Sequence, residues 1–89
     1  MSIDVKKAVE LARGYLSDIL QVSASQVLLE EVELSSDGRF WLVTLSYPAP
    51  APTPILVLTG RGDRAYKVVK LQAETGQFES IKIRSLAGA

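Results

Sequence analysis

The sequence RFWLVTLSY, residues 39–47, decides the fold of this chain. From Trp41 onward every second residue is large and apolar, whereas the positions between them change from Phe40 to the polar Ser46. Alternation with a period of two is typical of a β-strand that buries one face. We therefore predict a strand here, with its core contacts made by one row of side chains: Trp41, Val43, Leu45 and Tyr47.

The residues before this strand predict a β-hairpin. Asp37 and Gly38 supply the positive φ that a tight turn requires, and residues 26–34 (QVLLEEVEL) precede them as the partner strand. Glu30 interrupts the apolar row of this strand, formed by Leu28, Val32 and Leu34, which predicts a bulge or an exposed end. Strict alternation also places Glu31 and Glu33 on one face and Glu30 on the other.

Residues 3–20 predict an amphipathic helix that covers this sheet. Their apolar side chains recur at helical spacing, so they form one stripe. Ser2 is the predicted N-cap, and Asp4 is expected to place its charge in the first turn. Gly14 is predicted to lie opposite the stripe, either on the solvent side or at the close approach of a partner.

The C-terminal part predicts two further strands, residues 64–72 and 77–84, joined by a turn at residues 73–76. Ile81 and Ile83 are expected to face the core. The fold class is therefore α+β, with one N-terminal helix packed on a three- to four-stranded antiparallel meander sheet. We expect a single domain over residues 1–89, with a proline-rich insertion at residues 48–54.

Composition excludes several kinds of chemistry. The 89-residue chain contains no Cys and no His, so neither disulfides nor catalytic mechanisms based on Cys or His are available. Ten basic and ten acidic residues cancel, which argues against nucleic-acid binding. Two carboxylates on one strand face make a poor cation site. We predict no catalytic residues, metal or cofactor.

Targeting signals are also missing from the sequence. The N-terminus has no apolar run of the signal-peptide kind, and no stretch has the length of apolar sequence that spans a membrane. We therefore expect a cytoplasmic protein that does not bind membranes.

The proline-rich insertion is the most unusual local feature. All four prolines lie within residues 48–54, where they favour an extended backbone that serves as a rigid spacer or binds a partner. Residues 55–58 follow and are apolar on both faces, so at a sheet edge they could pair with another chain or a second copy of this one. The predicted partner-binding residues are Pro50, Pro52, Pro54, Ile55, Val57, Arg61 and Arg64.

Both ends of the chain resemble a PepSY-type domain. The helix with Ala8, Ala12, Tyr15 and Leu16 is similar to the start of that module, and residues 66–78 are similar to its end. There a strand enters an Asp-Ala-x-Thr-Gly turn and a last strand leaves it. Ala73, Thr75 and Gly76 match this turn, whereas Gln72 replaces the family's usual aspartate. The resemblance covers most of the chain outside residues 48–63.

This resemblance implies a helix on an antiparallel sheet and a noncatalytic role in peptidase regulation or protein interaction. Our leading hypothesis is therefore a protein-interaction or regulatory module, with a peptidase regulator or inhibitor as one form of it. A small immunity protein of a toxin–immunity pair is an alternative, because some of these resemble the same module. A small-ligand-binding domain or enzyme is a further alternative, with an apolar site lined by Tyr15, Trp41, Tyr47 and Tyr66.

Overall fold

A computed structural model describes residues 2–48 and 64–83, which form one α-helix, a short 3₁₀ helix (Ala24–Gln26) and four strands. The strands form one antiparallel sheet in chain order, β1-β2-β3-β4, so each pairs with its neighbours in sequence. This arrangement confirms the predicted α+β meander. The elements are α1 (Val5–Leu20), β1 (Leu28–Leu34), β2 (Phe40–Pro48), β3 (Arg64–Gln72) and β4 (Phe78–Ile83).

The core lies between α1 and one face of the sheet. Helix α1 packs mainly on the two central strands. Ala8 and Ala12 are fully buried, and their small side chains let the helix backbone come close to the sheet. The predicted row of β2 faces the helix, with Trp41 partly buried and Tyr47 buried, as expected. The fully buried large side chains of this core are Leu16, Val43, Leu45, Val69 and Leu71.

The helix begins at a different residue from the predicted one. Asp4 is the N-cap, and its carboxylate accepts a hydrogen bond from the backbone N–H of Lys7 at 2.8 Å. The prediction of Ser2 as the cap, with Asp4 in the first turn, is therefore wrong. The reason lies in Ile3, whose backbone N–H donates to the Ala73 carbonyl at 2.8 Å. Because Ile3 is held on the sheet, the helix starts after it.

Strand β1 contains the predicted bulge, but the bulge changes which side chains share a face. The register with β2 shifts between Leu29 and Glu31. Leu28 lies opposite Ser46 on the face away from the helix, whereas Leu29 lies opposite Leu45 on the helix face. Leu29, rather than the predicted Leu28, therefore joins the inner row. A strict period of two cannot anticipate this, because an extra residue reverses the alternation.

Strand β4 departs from its prediction at its end. Ile81 is partly buried against the core, whereas Ile83 is 79% exposed. The register opposes Ile83 to Lys67, so Ile83 does point to the inner face. Its exposure shows that side-chain direction alone does not bury a residue near the end of an edge strand.

Three contacts fix the N-terminus of the chain to the sheet. In addition to the bond from Ile3 to Ala73, the Trp41 indole Nε1 donates to the Ile3 carbonyl at 3.3 Å. The turn between β3 and β4 closes against the same region at Gly76, where a Cβ atom would lie 2.6 Å from Leu11 Cδ1 and 3.3 Å from Ile3 Cδ1. Gly76 also has a φ of +78°, so this turn requires glycine for two reasons.

Gly76→Ala is expected to destabilise the protein more than Gly38→Ala does. Both glycines have positive φ, so each substitution should cost about 1–2 kcal/mol of unfolding free energy. Only at Gly76 must Leu11 and Ile3 also move, which should add about 1 kcal/mol. Urea unfolding of both variants measures the difference. Equal losses would contradict the close packing of the turn on the helix.

Candidate functional site

The structure describes one of the seven predicted partner-binding residues. Pro50, Pro52, Pro54, Ile55, Val57 and Arg61 lie outside the described residues, as does the whole segment 55–58 proposed as an edge strand. Arg64 is the first residue of β3 and is partly buried. The role of the proline-rich insertion stays a prediction, and the described residues define the remaining candidates.

Arg64 is part of a polar network on the sheet face away from the helix. Its Nε donates to Ser46 Oγ at 2.9 Å, and its Nη2 donates to the carbonyls of Ser46 and Gln26, each at 3.0 Å. Ser46 Oγ in turn donates to the Glu30 carboxylate at 2.6 Å. The hydroxyl thus links a guanidinium to a carboxylate, and the guanidinium links the start of β3 to β2 and to the residues before β1.

This network also places Glu30 on the outer face. Ser46 lies opposite Tyr66 in the ladder, on the side away from the helix, and the Glu30 carboxylate bonds to it there. The prediction that Glu30 points away from Glu31 and Glu33 is therefore wrong, because the bulge brings all three to one side. The Glu30 carboxylate is hydrogen-bonded to Ser46. Among residues 2–48 and 64–83, no group of three His, Cys, Asp or Glu side chains could hold a metal ion.

The network joins segments of the sheet through a buried hydroxyl. Ser46 is fully buried, so its hydroxyl is not accessible from solvent. A buried hydroxyl that accepts from Arg64 and donates to Glu30 has both of its hydrogen-bonding roles satisfied. This hydroxyl therefore links β1, β2 and β3.

Ser46→Ala is expected to lower the unfolding free energy by about 1–3 kcal/mol, because Arg64 and Glu30 each lose a partner in a partly buried setting. Ser80→Ala provides the matched control. Ser80 also lies on the outer face, opposite Lys70, and its hydroxyl makes no such link. Chemical denaturation measures both variants. A loss at position 46 no larger than at position 80 would show that the network contributes nothing.

An apolar groove separates α1 from β1. It has a volume of about 670 Å³ and opens to solvent on one side. We call it the α1–β1 groove. Its walls are formed by one side of α1 and by the inner face of β1, and its lining includes Val5, Val9, Arg13, Gly14, Leu29 and Val32.

The groove exists because one helix does not cover four strands. Since α1 packs mainly on β2 and β3, the inner face of β1 is only partly covered. Val5 is 41% exposed and Leu29 is 42% exposed, and Leu34 at the end of the same strand is 46% exposed. Large apolar side chains that line a groove are typical of an interaction surface.

Gly14 lies at the edge of this groove. A Cβ atom added there would meet nothing within 4 Å, so no part of the described chain requires a glycine at this position. The residue is exposed, as predicted, but it belongs to the groove rather than to a purely polar helix face. Sequence reasoning missed the groove, since helix periodicity did not show which side of α1 would stay uncovered.

One predicted alternative is a ligand site lined by four aromatic residues: Tyr15, Trp41, Tyr47 and Tyr66. Tyr66 lies on the outer face opposite Ser46, whereas Tyr47 and Trp41 lie on the helix face. Tyr15 packs on Phe78, with ring centroids 5.3 Å apart. The sheet therefore separates Tyr66 from the other three side chains, and the four do not line a common cavity.

The tip of the β1–β2 hairpin contains a carboxylate with a changed pKa. Ser35 Oγ donates to Asp37 Oδ1 at 2.6 Å, and the Arg39 backbone N–H donates to the same oxygen at 3.0 Å. These hydrogen bonds, the Ser35 bond above all, lower the pKa of Asp37 in the folded protein. The carboxylate thus helps to set the turn in which Gly38 has its positive φ.

This lowered pKa predicts an acid-sensitive hairpin. Since the folded state favours the ionised form, Asp37 stabilises the hairpin at pH values above its unfolded pKa. That contribution is lost as the pH falls through the lower, folded pKa. Carboxyl-carbon NMR should show Asp37 titrating below its ordinary range, and Ser35→Ala should raise the midpoint. An unchanged midpoint in that variant would show that the Ser35 hydrogen bond is not the main cause of the lowered pKa of Asp37.

Comparisons with known proteins give no identity. No family model matches the chain, and neither a curated protein sequence nor a solved structure matches it. Within the described residues, α1 is too short and too polar to cross a membrane.

Proposed function

We propose that this protein is a noncatalytic module that binds another protein through the α1–β1 groove. One observation carries the proposal: an open apolar groove of about 670 Å³ lies beside an edge strand that exposes Leu29 and Leu34. Burying exposed apolar surface of this kind contributes roughly 25 cal/mol per Å² and is the main favourable term in most protein association.

The chemistry of the described residues supports binding rather than catalysis. The sequence has no His and no Cys, and the buried hydroxyl of Ser46 is committed to Arg64 and Glu30. The α1–β1 groove is lined by apolar side chains together with Lys6, Glu10 and Arg13, so apolar and charged side chains occur together there. Protein interfaces commonly combine these two features.

We further propose a relation to PepSY-type domains, and with it a regulatory role such as the control of a peptidase. The helix followed by an antiparallel meander agrees with that fold, and Gly76 has the positive φ that the Thr-Gly turn needs. Gln72, where the family usually has aspartate, accepts a hydrogen bond from the Thr75 hydroxyl through its side-chain oxygen at 3.3 Å. An immunity protein of a toxin–immunity pair would use the same kind of surface.

Substitutions at Gly14 test the binding surface without damaging the fold. Gly14→Ala should stabilise the protein by up to about 1 kcal/mol, because alanine favours the helix and its Cβ meets open space. Gly14→Tyr should also fold, since it adds its ring at the edge of the groove, but it should weaken binding of the partner at least tenfold. The tagged protein is used to capture a partner from source cells, and the purified pair is measured by calorimetry.

The matched outcomes separate folding from binding. A stoichiometric partner that binds the Gly14→Ala protein but not the Gly14→Tyr protein supports the groove. A partner that binds both equally uses another surface, and the absence of any stoichiometric partner argues against a binding module altogether. Unfolding curves of both variants confirm that each is folded.

A further inference from the structure

We propose that two copies of this chain pair along the edge of β4, so that their four-stranded sheets join into one sheet of eight strands. The occupant of the edge is β4 of the second copy, which runs antiparallel to the first and is centred on Ile81. The inference goes beyond the proposed function, because β4 and the α1–β1 groove lie at opposite edges of the sheet.

The backbone of β4 provides the first argument. Strand β4 lies at one edge of the sheet and pairs with β3. Within the part of the chain that the structure describes, its residues have no hydrogen-bond or ion-pair partner beyond β3. An edge strand presents unpaired N–H and C=O groups, which can pair with a strand of another chain.

The order of charges along β4 provides the second argument. The register with β3 skips Glu79, which is therefore the extra residue of a bulge. The Glu79 carboxylate accepts a hydrogen bond from the side-chain amide of Gln72 at 2.6 Å, on the face away from the helix. Lys82 lies opposite Val68 on that same face and is exposed. This face of β4 thus has an acidic group near its start and a basic group near its end.

This order of charges makes the strand complementary to itself. In an antiparallel pair centred on Ile81, Ser80 of one copy lies opposite Lys82 of the other. Glu79 is the neighbour of Ser80 and lies beside that lysine, and the two-fold symmetry forms the same contact twice. Opposite charges on neighbouring strands attract, so the charges favour this register.

Ile83 adds an independent observation on the inner face. It is 79% exposed, more than any other large apolar side chain of the described residues. In the proposed pair it lies beside Phe78 of the second copy, because the bulge turns Glu79 to the outer face. This contact removes apolar surface of both side chains from water, which favours association.

The opposite edge of the sheet lacks this self-complementarity. Strand β1 contains three Glu and no basic residue, and the Glu30 carboxylate already accepts a hydrogen bond from Ser46. Two β1 strands side by side would bring like charges together, which is destabilising. A second copy is therefore expected at β4 and not at β1.

The position of the helices leaves room for the joined sheet. Helix α1 packs mainly on β2 and β3, so β4 lies to one side of it. Because neighbouring strands lie about 4.8 Å apart, the two helices of the pair would be about 19 Å apart. A helix with its side chains is about 10–12 Å wide, so the two helices would not collide.

Single cysteines test the register of the pair. The chain has no Cys, so each variant carries one thiol. Ile81→Cys places the two thiols directly opposite each other, where Cβ atoms are about 4.5–5.5 Å apart, and should give a disulfide-linked dimer on oxidation. Ile83→Cys is the matched control, because about 13 Å of strand would separate its thiols. It should oxidise at least tenfold more slowly although position 83 is more exposed. Equal or faster oxidation at position 83 would overturn the register.

Exchanged charges test the contact between the strands. Lys82→Glu and Glu79→Lys should each weaken self-association at least fivefold, because each brings like charges together. An equimolar mixture of the two variants should restore it as mixed dimers. A mixture of Lys6→Glu and Glu74→Lys has the same net charges at exposed positions outside β4 and should show no preference for mixed dimers. Equal preference in the two mixtures would show that only net charge acts, which would overturn the contact. Unfolding curves confirm that each variant is folded.

The oligomeric state separates this inference from the proposed function. Sedimentation equilibrium should show a reversible dimer, and the backbone amides of residues 78–83 should exchange more slowly as the concentration rises. Gly14→Tyr should dimerise like the unmodified protein, because it changes the other edge of the sheet. A strict monomer at millimolar concentration would overturn the inference while leaving the proposed function standing. Protection of these amides in a monomer would show that another part of the chain covers β4, which overturns the inference as well.

Discussion

The close approach of α1 to the two central strands is the contact on which the rest of the structure depends. Ala8 and Ala12 are fully buried and present almost no side chain, so the helix lies near the sheet and Leu16 fills the space between the layers. Full burial of a side chain such as Leu16 contributes about 1.5–3 kcal/mol. The same contact fixes where α1 lies, and thereby determines that β2 and β3 are covered and that β1 is covered only in part.

The two faces of the sheet are stabilised by different interactions. The inner face packs apolar side chains on α1, whereas the outer face includes the buried Ser46, bound to Arg64 and Glu30. Thr44 is also buried on the outer face. Ser46 can be buried there because its hydroxyl makes both of its hydrogen bonds, and these bonds join β1, β2 and β3. The inner face thus holds the layers together, and the outer face holds the strand ends together.

Much of the fold could be predicted from local patterns, because helix and strand periods and the turn glycines depend on neighbouring residues. Strand β3 has the predicted bounds, and the row from Trp41 to Tyr47 faces the helix. The predictions are wrong where residues distant in sequence determine the local structure. Asp4 caps the helix because Ala73 holds Ile3, and Leu29 replaces Leu28 on the inner face because of a bulge. The α1–β1 groove depends on the position of the whole helix, which no single segment specifies.

The pairing of β2 with β3 has a consequence for the length of the connection between them. These strands form a continuous ladder from Phe40 opposite Gln72 to Pro48 opposite Arg64, although residues 49–63 separate them in the chain. The entropy lost on closing a loop grows only with the logarithm of its length, and each doubling costs about 0.6 kcal/mol. Loop-closure entropy alone therefore places little limit on the number of residues between Pro48 and Arg64. The ladder of β2 with β3 can accordingly form with connections of different length.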